Sequence, residues 1–133
     1  MPDKTPGRSP SEERVRSSLL QLAHSCAVYK RMAILGEGNV SGKLSDEQFL
    51  IKASGTQLSC LKADHLVKVQ TRVILDGLES QDLDDQQVES LLLESRVNVD
   101  SLKPYVETLF HALLLELQGV SLVGHTHVVQ LNQ

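Results

Sequence analysis

The hydrophobic pattern of this chain changes its period at residues 36–39, which read Gly-Glu-Gly-Asn. Before this break, apolar residues recur at the 3.6-residue spacing of a helix that buries one face against a core. Ser9 and Glu12 frame the start of that helix, because serine caps backbone N–H groups and an acidic residue three positions later completes the cap. The pattern therefore predicts a helix from about residue 10 to residue 35, followed by short strands.

Beyond the break, apolar and polar residues alternate over short stretches, which is typical of strands. Two strands are predicted at residues 40–44 and 48–52, and the turn-forming residues between them predict a hairpin. A third strand is predicted at residues 66–69, which residues 72–75 are expected to extend or follow. Near the end of the chain, residues 120–129 form an almost continuous apolar, β-branched run that indicates another strand.

Two more helices are predicted in the second half of the chain. Residues 84–95 hold apolar side chains at helical spacing within an acidic stretch. A longer helix is predicted from near Pro104 to Gly119, because glycine commonly ends a helix. Helices and strands alternate irregularly, so the sequence favours an α/β fold with a mixed sheet over an all-parallel one. The side chains expected to face inward from the longer helix are Val106, Leu109, Phe110, Leu113, Leu114 and Leu117.

The chain has 133 residues, enough for one domain, and it carries a formal net charge of −4 with 3% aromatic residues. This acidity and the scarcity of aromatic rings argue against binding to nucleic acid, which needs cationic and stacking groups. No run approaches the roughly 20 apolar residues of a membrane helix, and the first ten residues lack the apolar core of a secretion signal. We expect a cytoplasmic protein without a membrane partner, with a flexible tail at residues 1–8 and one domain at residues 9–133.

His125 and His127 are separated by one residue in the last predicted strand. Residues i and i+2 of a strand point to the same face, so both imidazole rings would project together. Two imidazoles on one face can bind a divalent metal, most often zinc. The same spacing also suits two histidines that only form hydrogen bonds at a strand end, so the motif alone leaves both interpretations open.

Glu107 and His111 are four residues apart, which places them on one face of the predicted longer helix. A carboxylate at a helix start is stabilised by the helix dipole, and beside a metal it can act as a ligand or a general base. The pair is also compatible with an ordinary helix-start glutamate that has a polar neighbour.

Two loops, residues 36–41 and 54–56, combine glycine with asparagine, serine or threonine. Glycine lets the backbone approach a ligand, and the polar side chains supply neutral donors for an anion or a phosphate. Neither loop matches a known nucleotide-binding fingerprint. Each loop taken singly is equally compatible with an ordinary turn.

The order of these motifs resembles that of the class II aldolase/adducin domain family. The resemblance covers nearly the whole chain after the tail, and it lies in the joint occurrence of short motifs rather than in any one of them. In order, these motifs are a long helix, Gly38-Asn39-Val40-Ser41, Ser54-Gly55-Thr56, Asp64-His65-Leu66-Val67, Pro104 with Glu107 and His111, and His125-Thr126-His127.

The resemblance implies a three-layer α/β/α sandwich around a mixed, largely antiparallel central sheet, assembled as a homotetramer with active sites between subunits. Catalytic members are zinc-dependent lyases that cleave small sugars or sugar phosphates by retro-aldol chemistry through a metal-stabilised enediolate. By motif match, His125 and His127 would be zinc ligands, and Glu107 would be the acid/base carboxylate that also contacts the metal.

The resemblance also assigns the polar loops to the substrate. Gly38 and Asn39 of the first loop, with Ser54 and Gly55 of the second, would hold its phosphate. His111 would support the site structurally. The implied partners are a small sugar or sugar phosphate and further copies of the same chain.

Two departures from the family pattern bear on function. Tyr105 stands where the resemblance implies a serine, and a bulky ring there would change or block a phosphate cradle. The family's third zinc histidine lies well downstream of the histidine pair, whereas this sequence ends at Gln133. We therefore expect the N-terminal portion of such a domain, incomplete on its C-terminal side and without the third histidine ligand.

Three functions are compatible with the resemblance. The first is a zinc-dependent aldolase-type lyase, and the related pentose-phosphate epimerases share its metal architecture. The second is a non-catalytic, adducin-like interaction module, and the third is an inactive truncated homologue. Adducin-type members lose metal ligands, so the presence of Glu107, His125 and His127 favours descent from an enzyme.

Overall fold

The computed structural model of the protein describes residues 8–28, 38–80 and 82–125. Two 3₁₀ turns lie between the second and third strands of this part of the chain. None of the helices in these ranges combines the length and the apolar character that crossing a membrane requires. In chain order the helices and strands are α1 (Pro10–Val28), β1 (Asn39–Lys43), β2 (Gln48–Lys52), β3 (Leu66–Gln70), α2 (Thr71–Glu79), α3 (Asp85–Glu94), α4 (Thr108–Leu115) and β4 (Leu122–His125).

Side-chain caps fix where two of the helices begin. At α1, the Ser9 hydroxyl accepts a hydrogen bond from the Glu12 N–H at 3.1 Å. At α3, the Asp84 carboxylate accepts from the Gln87 N–H at 2.7 Å, and the Gln87 side chain accepts from the Asp84 N–H at 2.8 Å. These bonds satisfy donors that a helix start leaves open. The predicted starts of both helices are confirmed.

The four strands form one antiparallel sheet in the order β3-β2-β1-β4. β1 and β2 make the predicted hairpin, with Ser41 opposite Ile51. β4 comes from the far end of the chain and lies against β1, so that Asn39 is opposite His125 and Ser41 is opposite Val123. This long-range pairing brings the end of β4 beside the loop that precedes β1.

α1 covers one face of the sheet together with the two 3₁₀ turns. Gly42 in β1 permits a close approach of the helix, because a Cβ at this position would lie only 2.7 Å from Cγ1 of Val15. An apolar cluster fills the interface, and its buried members are Leu19, Ala23, Val40, Leu50, Leu58, Leu61 and Leu66.

α2, α3 and α4 cover the opposite face. Gly77 in α2 lies against α3, where a Cβ would come within 2.5 Å of Cδ2 of Leu91. Helices therefore cover both faces of the sheet, which confirms the expected three-layer α/β/α sandwich, and every described strand pair is antiparallel. The buried members of this second cluster are Phe49, Ile51, Ala53, Val67, Val69, Ile74, Leu91, Ala112 and Leu115.

The predicted longer helix is wrong at both of its ends and in its orientation. Pro104 pairs with β2 in an isolated bridge to Ala53, which keeps this segment extended, so α4 begins only at Thr108. The helix ends at Leu115, four residues before Gly119. Four of the six side chains expected to face inward are instead exposed, namely Val106, Phe110, Leu113 and Leu117.

The buried stripe of α4 contains a histidine in place of those apolar residues. Thr108, His111, Ala112 and Leu115 are buried, and they recur at the helical spacing of one face. His111 can take an inward position because the sheet offers its ring a hydrogen-bonding partner. A prediction that considers only apolar residues therefore assigns the wrong face of this helix to the core.

Residues 72–75 are also helical, and they do not extend the third strand. The Thr71 N–H donates to the Glu47 carbonyl at 2.9 Å, which turns the chain off the sheet as β3 ends. Ile74 is then fully buried in the cluster beneath α2. The predicted end of the first helix at residue 35, most of the predicted tail and the predicted strand beyond His125 lie outside the described residues.

A buried ionic cluster links α1 to β3. The Glu12 carboxylate accepts from Arg16 Nη2 at 2.8 Å and pairs with Lys68 Nζ at 2.7 Å, and the Arg16 guanidinium also donates to the Ala63 carbonyl at 2.7 Å. Burial by itself raises the pKa of Glu12, but the hydrogen bonds and charges of Lys68 and Arg16 outweigh it and hold that pKa below its usual value. The charges are thus paired with one another and with the backbone.

We expect Glu12→Gln to lower the free energy of unfolding at pH 7 by about 3 kcal/mol, because it leaves the buried guanidinium of Arg16 and the partly buried ammonium of Lys68 without their counterion. Because the folded-state pKa of Glu12 is lowered, the stabilisation is present above the pKa of the unfolded chain and is lost as the pH falls through the folded pKa. Urea denaturation of both proteins between pH 3 and pH 7 measures this.

Glu13→Gln is the matched control, since Glu13 lies on the same helix with a far more exposed side chain. It should change stability by less than about 0.5 kcal/mol. Equal effects of the two substitutions, or a Glu12→Gln difference that does not shrink at low pH, would contradict the role of the ionic cluster.

Candidate metal centre

Three potential metal-binding side chains converge beside the N-terminal end of β1. Glu107 precedes the first residue of α4, and His111 follows one turn later on the same helix. His125 is the last residue of β4, and the pairing of β4 with β1 brings it to the same face. One carboxylate oxygen and one ring nitrogen from each histidine all lie within 4.8 Å of one another.

The outer part of this group is a carboxylate–imidazole pair. Nδ1 of His125 lies 2.9 Å from Oε1 of Glu107, and the two side chains are 30% and 21% exposed. Phe110 packs edge-on against both histidine rings, with ring centres 5.8 Å from His111 and 5.9 Å from His125. The carboxylate–imidazole pair is therefore partly accessible to solvent, and the ring of Phe110 packs against its histidine.

His111 forms the inner, fully buried part of the group. Its Nδ1 lies 2.6 Å from Oγ of Ser41, whereas its Nε2 has no hydrogen-bonding partner in the described part of the protein. Burial is the main cause that lowers the pKa of His111 to about 4; the charge of Glu107 opposes this change and His125 adds to it. The ring is therefore neutral near pH 7, which is the form that binds a metal ion.

A carboxylate and two imidazoles suit a zinc ion, which takes nitrogen and oxygen ligands and in catalytic sites keeps one position open. The orphaned Nε2 and the partial exposure of the outer pair agree with such a site. The donor set therefore fits zinc. His127, the other predicted ligand, lies outside the described residues.

Asn39 of the predicted substrate loop lies directly beside this group. Residues opposite one another in antiparallel strands share a face, so the side chains of Asn39 and His125 lie on the same side of the sheet. Oδ1 of Asn39 accepts from the Val40 N–H at 2.8 Å, while its Nδ2 is buried without a partner among the described residues. Gly38 precedes it with a φ of 110°, a backbone conformation that favours glycine.

The second predicted substrate loop follows β2. Ser54 and Gly55 are both exposed there, and Gly55 has a φ of 81°. The Ser54 N–H donates to the Lys103 carbonyl at 2.8 Å, so this backbone donor is already used. The structure therefore sets Gly38 and Asn39 at the carboxylate–histidine group, whereas Ser54 and Gly55 lie in the loop beyond β2.

Lys52 is a buried cation between this second loop and the carboxylate–histidine group. The sequence analysis did not single it out. Its Nζ donates to the Thr56 carbonyl at 2.6 Å and lies 4.5 Å from the centre of the Tyr105 ring. Burial lowers the pKa of Lys52, and the charge of Glu107 opposes that change. A lysine at a strand end ordinarily indicates a solvent-exposed side chain, and only its position before Ser54-Gly55 could have signalled otherwise.

Ser41 is the other contributor that the sequence did not single out as a partner of His111. It was expected at the end of the polar loop and in the strand predicted at residues 40–44, and the structure places it within β1 with a fully buried side chain. The 70 residues that separate it from His111 explain why a local pattern could not pair them.

Comparison with known proteins relates this architecture to one family. Residues 18–132 match the model of the class II aldolase and adducin N-terminal domain. No curated protein matches the sequence significantly.

Two solved structures share the fold. One is the N-terminal class II aldolase domain of a conserved protein from Thermoplasma acidophilum, with a TM-score of 0.72 and 21% identity over 95% of this chain. The other is an aldolase II superfamily protein from Pseudomonas syringae, with a TM-score of 0.64 and 23% identity over 92% of this chain. The chain spans 58% and 42% of the lengths of these two structures.

Proposed function

Because the chain belongs to the class II aldolase and adducin N-terminal domain family, we propose that it is a metal-dependent aldolase-type lyase acting on a small sugar or sugar phosphate. The observation that carries this proposal is the convergence of Glu107, His111 and His125 within 4.8 Å, beside the buried Nδ2 of Asn39, which has no hydrogen-bonding partner among the described residues. A purely structural module has no need of these groups, and two buried atoms without partners reduce its stability.

The metal in this proposal is zinc, held by Glu107 and His125 together with His127. Zinc, when bound, supplies a Lewis acid for the negative charge that carbon–carbon cleavage leaves on the substrate. Support for these ligands comes from the 2.9 Å approach of Glu107 to His125 and from the family's motif order.

Glu107 is proposed to move the proton. Its carboxylate is partly exposed and lies at the start of α4. Contact with His125 holds one carboxylate oxygen in place, so the group is oriented before substrate arrives. Proton transfer by a positioned carboxylate typically contributes a rate factor of about 10²–10⁴.

Asn39 is proposed to bind a substrate oxygen through Nδ2, which is a donor and therefore needs an acceptor. Gly38 precedes Asn39 and allows the backbone to reach this position. Ser54 and Gly55 are proposed to bind the far end of the substrate, which is the end remote from the bond that is cleaved. Binding energy gained at that end can orient the reacting end.

Assembly into a homo-oligomer in the cytoplasm is part of the same proposal. The outer face of α4 supports it, because Phe110, Leu113 and Leu117 are each about half exposed. Exposed apolar side chains grouped in this way commonly mark a protein interface.

We expect His125→Ala and His127→Ala each to abolish zinc retention, because each removes one nitrogen ligand. Zinc per chain after gel filtration, measured by atomic emission, tests this. His24→Ala is the control: His24 bonds the Leu61 carbonyl on the α1 side of the sheet, away from the site. The ligand assignment is wrong if all three variants retain the same amount of zinc.

We expect Glu107→Gln to lower kcat for cleavage by at least about 100-fold, because an amide cannot carry the proton. The substitution preserves side-chain size, so the fold and much of the bound metal should persist. Turnover of a panel of ketoses and ketose phosphates, with zinc content determined in parallel, measures both effects. Normal turnover in this variant would refute the acid/base role.

We expect Tyr105→Ser to tighten the binding of inorganic phosphate about tenfold, because it uncovers the Lys52 ammonium and adds a hydroxyl donor. Isothermal titration of the zinc-loaded proteins measures this. Val106→Ser, a serine substitution at the neighbouring exposed position, should leave phosphate affinity unchanged. If Tyr105→Ser binds phosphate no better than the wild type, Tyr105 does not block an anion site.

A further inference from the structure

The buried Nε2 atom of His111 is a polar group that the fold leaves unsatisfied. Its residue is fully buried, and the atom has no hydrogen-bonding partner within the described part of the chain. A buried polar atom without a partner costs about 1–3 kcal/mol, so native structures seldom keep one without a reason.

We infer that His111 is itself a metal ligand through Nε2, and that Ser41 is the residue that positions its ring. The family match supplies the chemistry of the site, so this inference rests on the proposed metal dependence. It extends the ligand set of Glu107, His125 and His127 by one imidazole, and it changes His111 from structural support into a group that binds the ion.

The hydrogen bond to Ser41 decides which nitrogen is available. A histidine that binds a metal through one nitrogen usually donates the other N–H to a fixed acceptor. Ser41 Oγ, 2.6 Å from Nδ1 and fully buried, is such an acceptor. With the proton on Nδ1, the lone pair of Nε2 is left for the ion.

The spacing of the group allows the ion to bind without a change of fold. Atoms bound to one tetrahedral zinc lie about 3.4 Å apart, given bonds of about 2.0–2.1 Å. One carboxylate oxygen of Glu107 and one ring nitrogen from each of His111 and His125 lie within 4.8 Å of one another. The widest separation among these three atoms exceeds the tetrahedral spacing by at most about 1.4 Å, and the partly exposed side chains of Glu107 and His125 can rotate toward an ion.

The position of His111 gives this ligand a distinct function. It is held from the inside by a buried strand residue, whereas Glu107 and His125 approach from the partly exposed side. An inner ligand fixed in this way would hold the ion, and Glu107 would then be available to move a proton.

The test measures metal binding directly rather than turnover. Zinc affinity is determined by competition with a chromophoric chelator for the wild type, His111→Gln, Ser41→Ala and His24→Gln. His111→Gln should weaken binding by more than about 100-fold, and Ser41→Ala by about tenfold, the range seen for partners that orient a ligand. His24→Gln should bind zinc as the wild type does, since His24 lies on the other side of the sheet.

X-ray absorption of the zinc-loaded proteins provides a second measurement that a merely structural histidine would not alter. The number of imidazoles on zinc should fall by one in His111→Gln and remain unchanged in Ser41→Ala. Far-UV circular dichroism of the metal-free proteins identifies any variant that fails to fold. If His111→Gln does not fold, the zinc affinity of Ser41→Ala decides the inference.

Unchanged affinity and an unchanged imidazole count in folded His111→Gln would overturn the inference while leaving the proposed function intact. The wild-type protein could instead bind zinc with the imidazole of His111 included and yet cleave no ketose or ketose phosphate. That result would overturn the proposed function and support His111 as a ligand. A wild-type protein that binds no zinc would overturn both.

Discussion

The hydrogen bond between Ser41 and His111 joins the two parts of the molecule on which the site depends. Ser41 lies in β1, which pairs with strands on both sides, and His111 lies on the inner face of α4. At 2.6 Å and full burial, this bond gives a polar ring a stable place against the sheet. It thereby sets which side of α4 faces inward, and Glu107, one turn earlier, is carried to the position where it meets His125.

Two groups of buried polar side chains differ in how they are satisfied. In the cluster beneath α1, Glu12 is paired with Arg16 and Lys68, and the guanidinium of Arg16 also donates to the backbone. Around β1, by contrast, Asn39 Nδ2 and His111 Nε2 have no hydrogen-bonding partners among the described residues. Proteins break the rule of full satisfaction mainly where a ligand completes the set, and this contrast supports the proposal that the group around β1 binds one.

Sequence patterns predicted those features whose cause is local. The cap at Ser9, the helix within residues 84–95 and the β1–β2 hairpin all follow from residues within a few positions of one another. The orientation of α4 was mispredicted because its exposed side is the more apolar one, and its inward histidine depends on a strand residue 70 positions away. The motif order predicted Glu107 and His125 as site residues, and the structure places their side chains 2.9 Å apart. The buried state of Lys52, by contrast, had no local signal.

The environment of Lys52 bears on the kind of substrate the site can accept. An ammonium group has three donors, and here two are given to backbone carbonyls, that of Thr56 at 2.6 Å and that of Ala53 at 3.4 Å, while the ring of Tyr105 covers the group from another side. A free phosphate-binding lysine would keep its donors directed toward solvent or an open pocket, yet this side chain is only 1% exposed. A phosphate could reach Lys52 only if Tyr105 moved, which would break the cation–π contact and cost of the order of 1 kcal/mol. A ligand without an anionic group avoids that cost, so the Tyr105 ring disfavours an anion at Lys52.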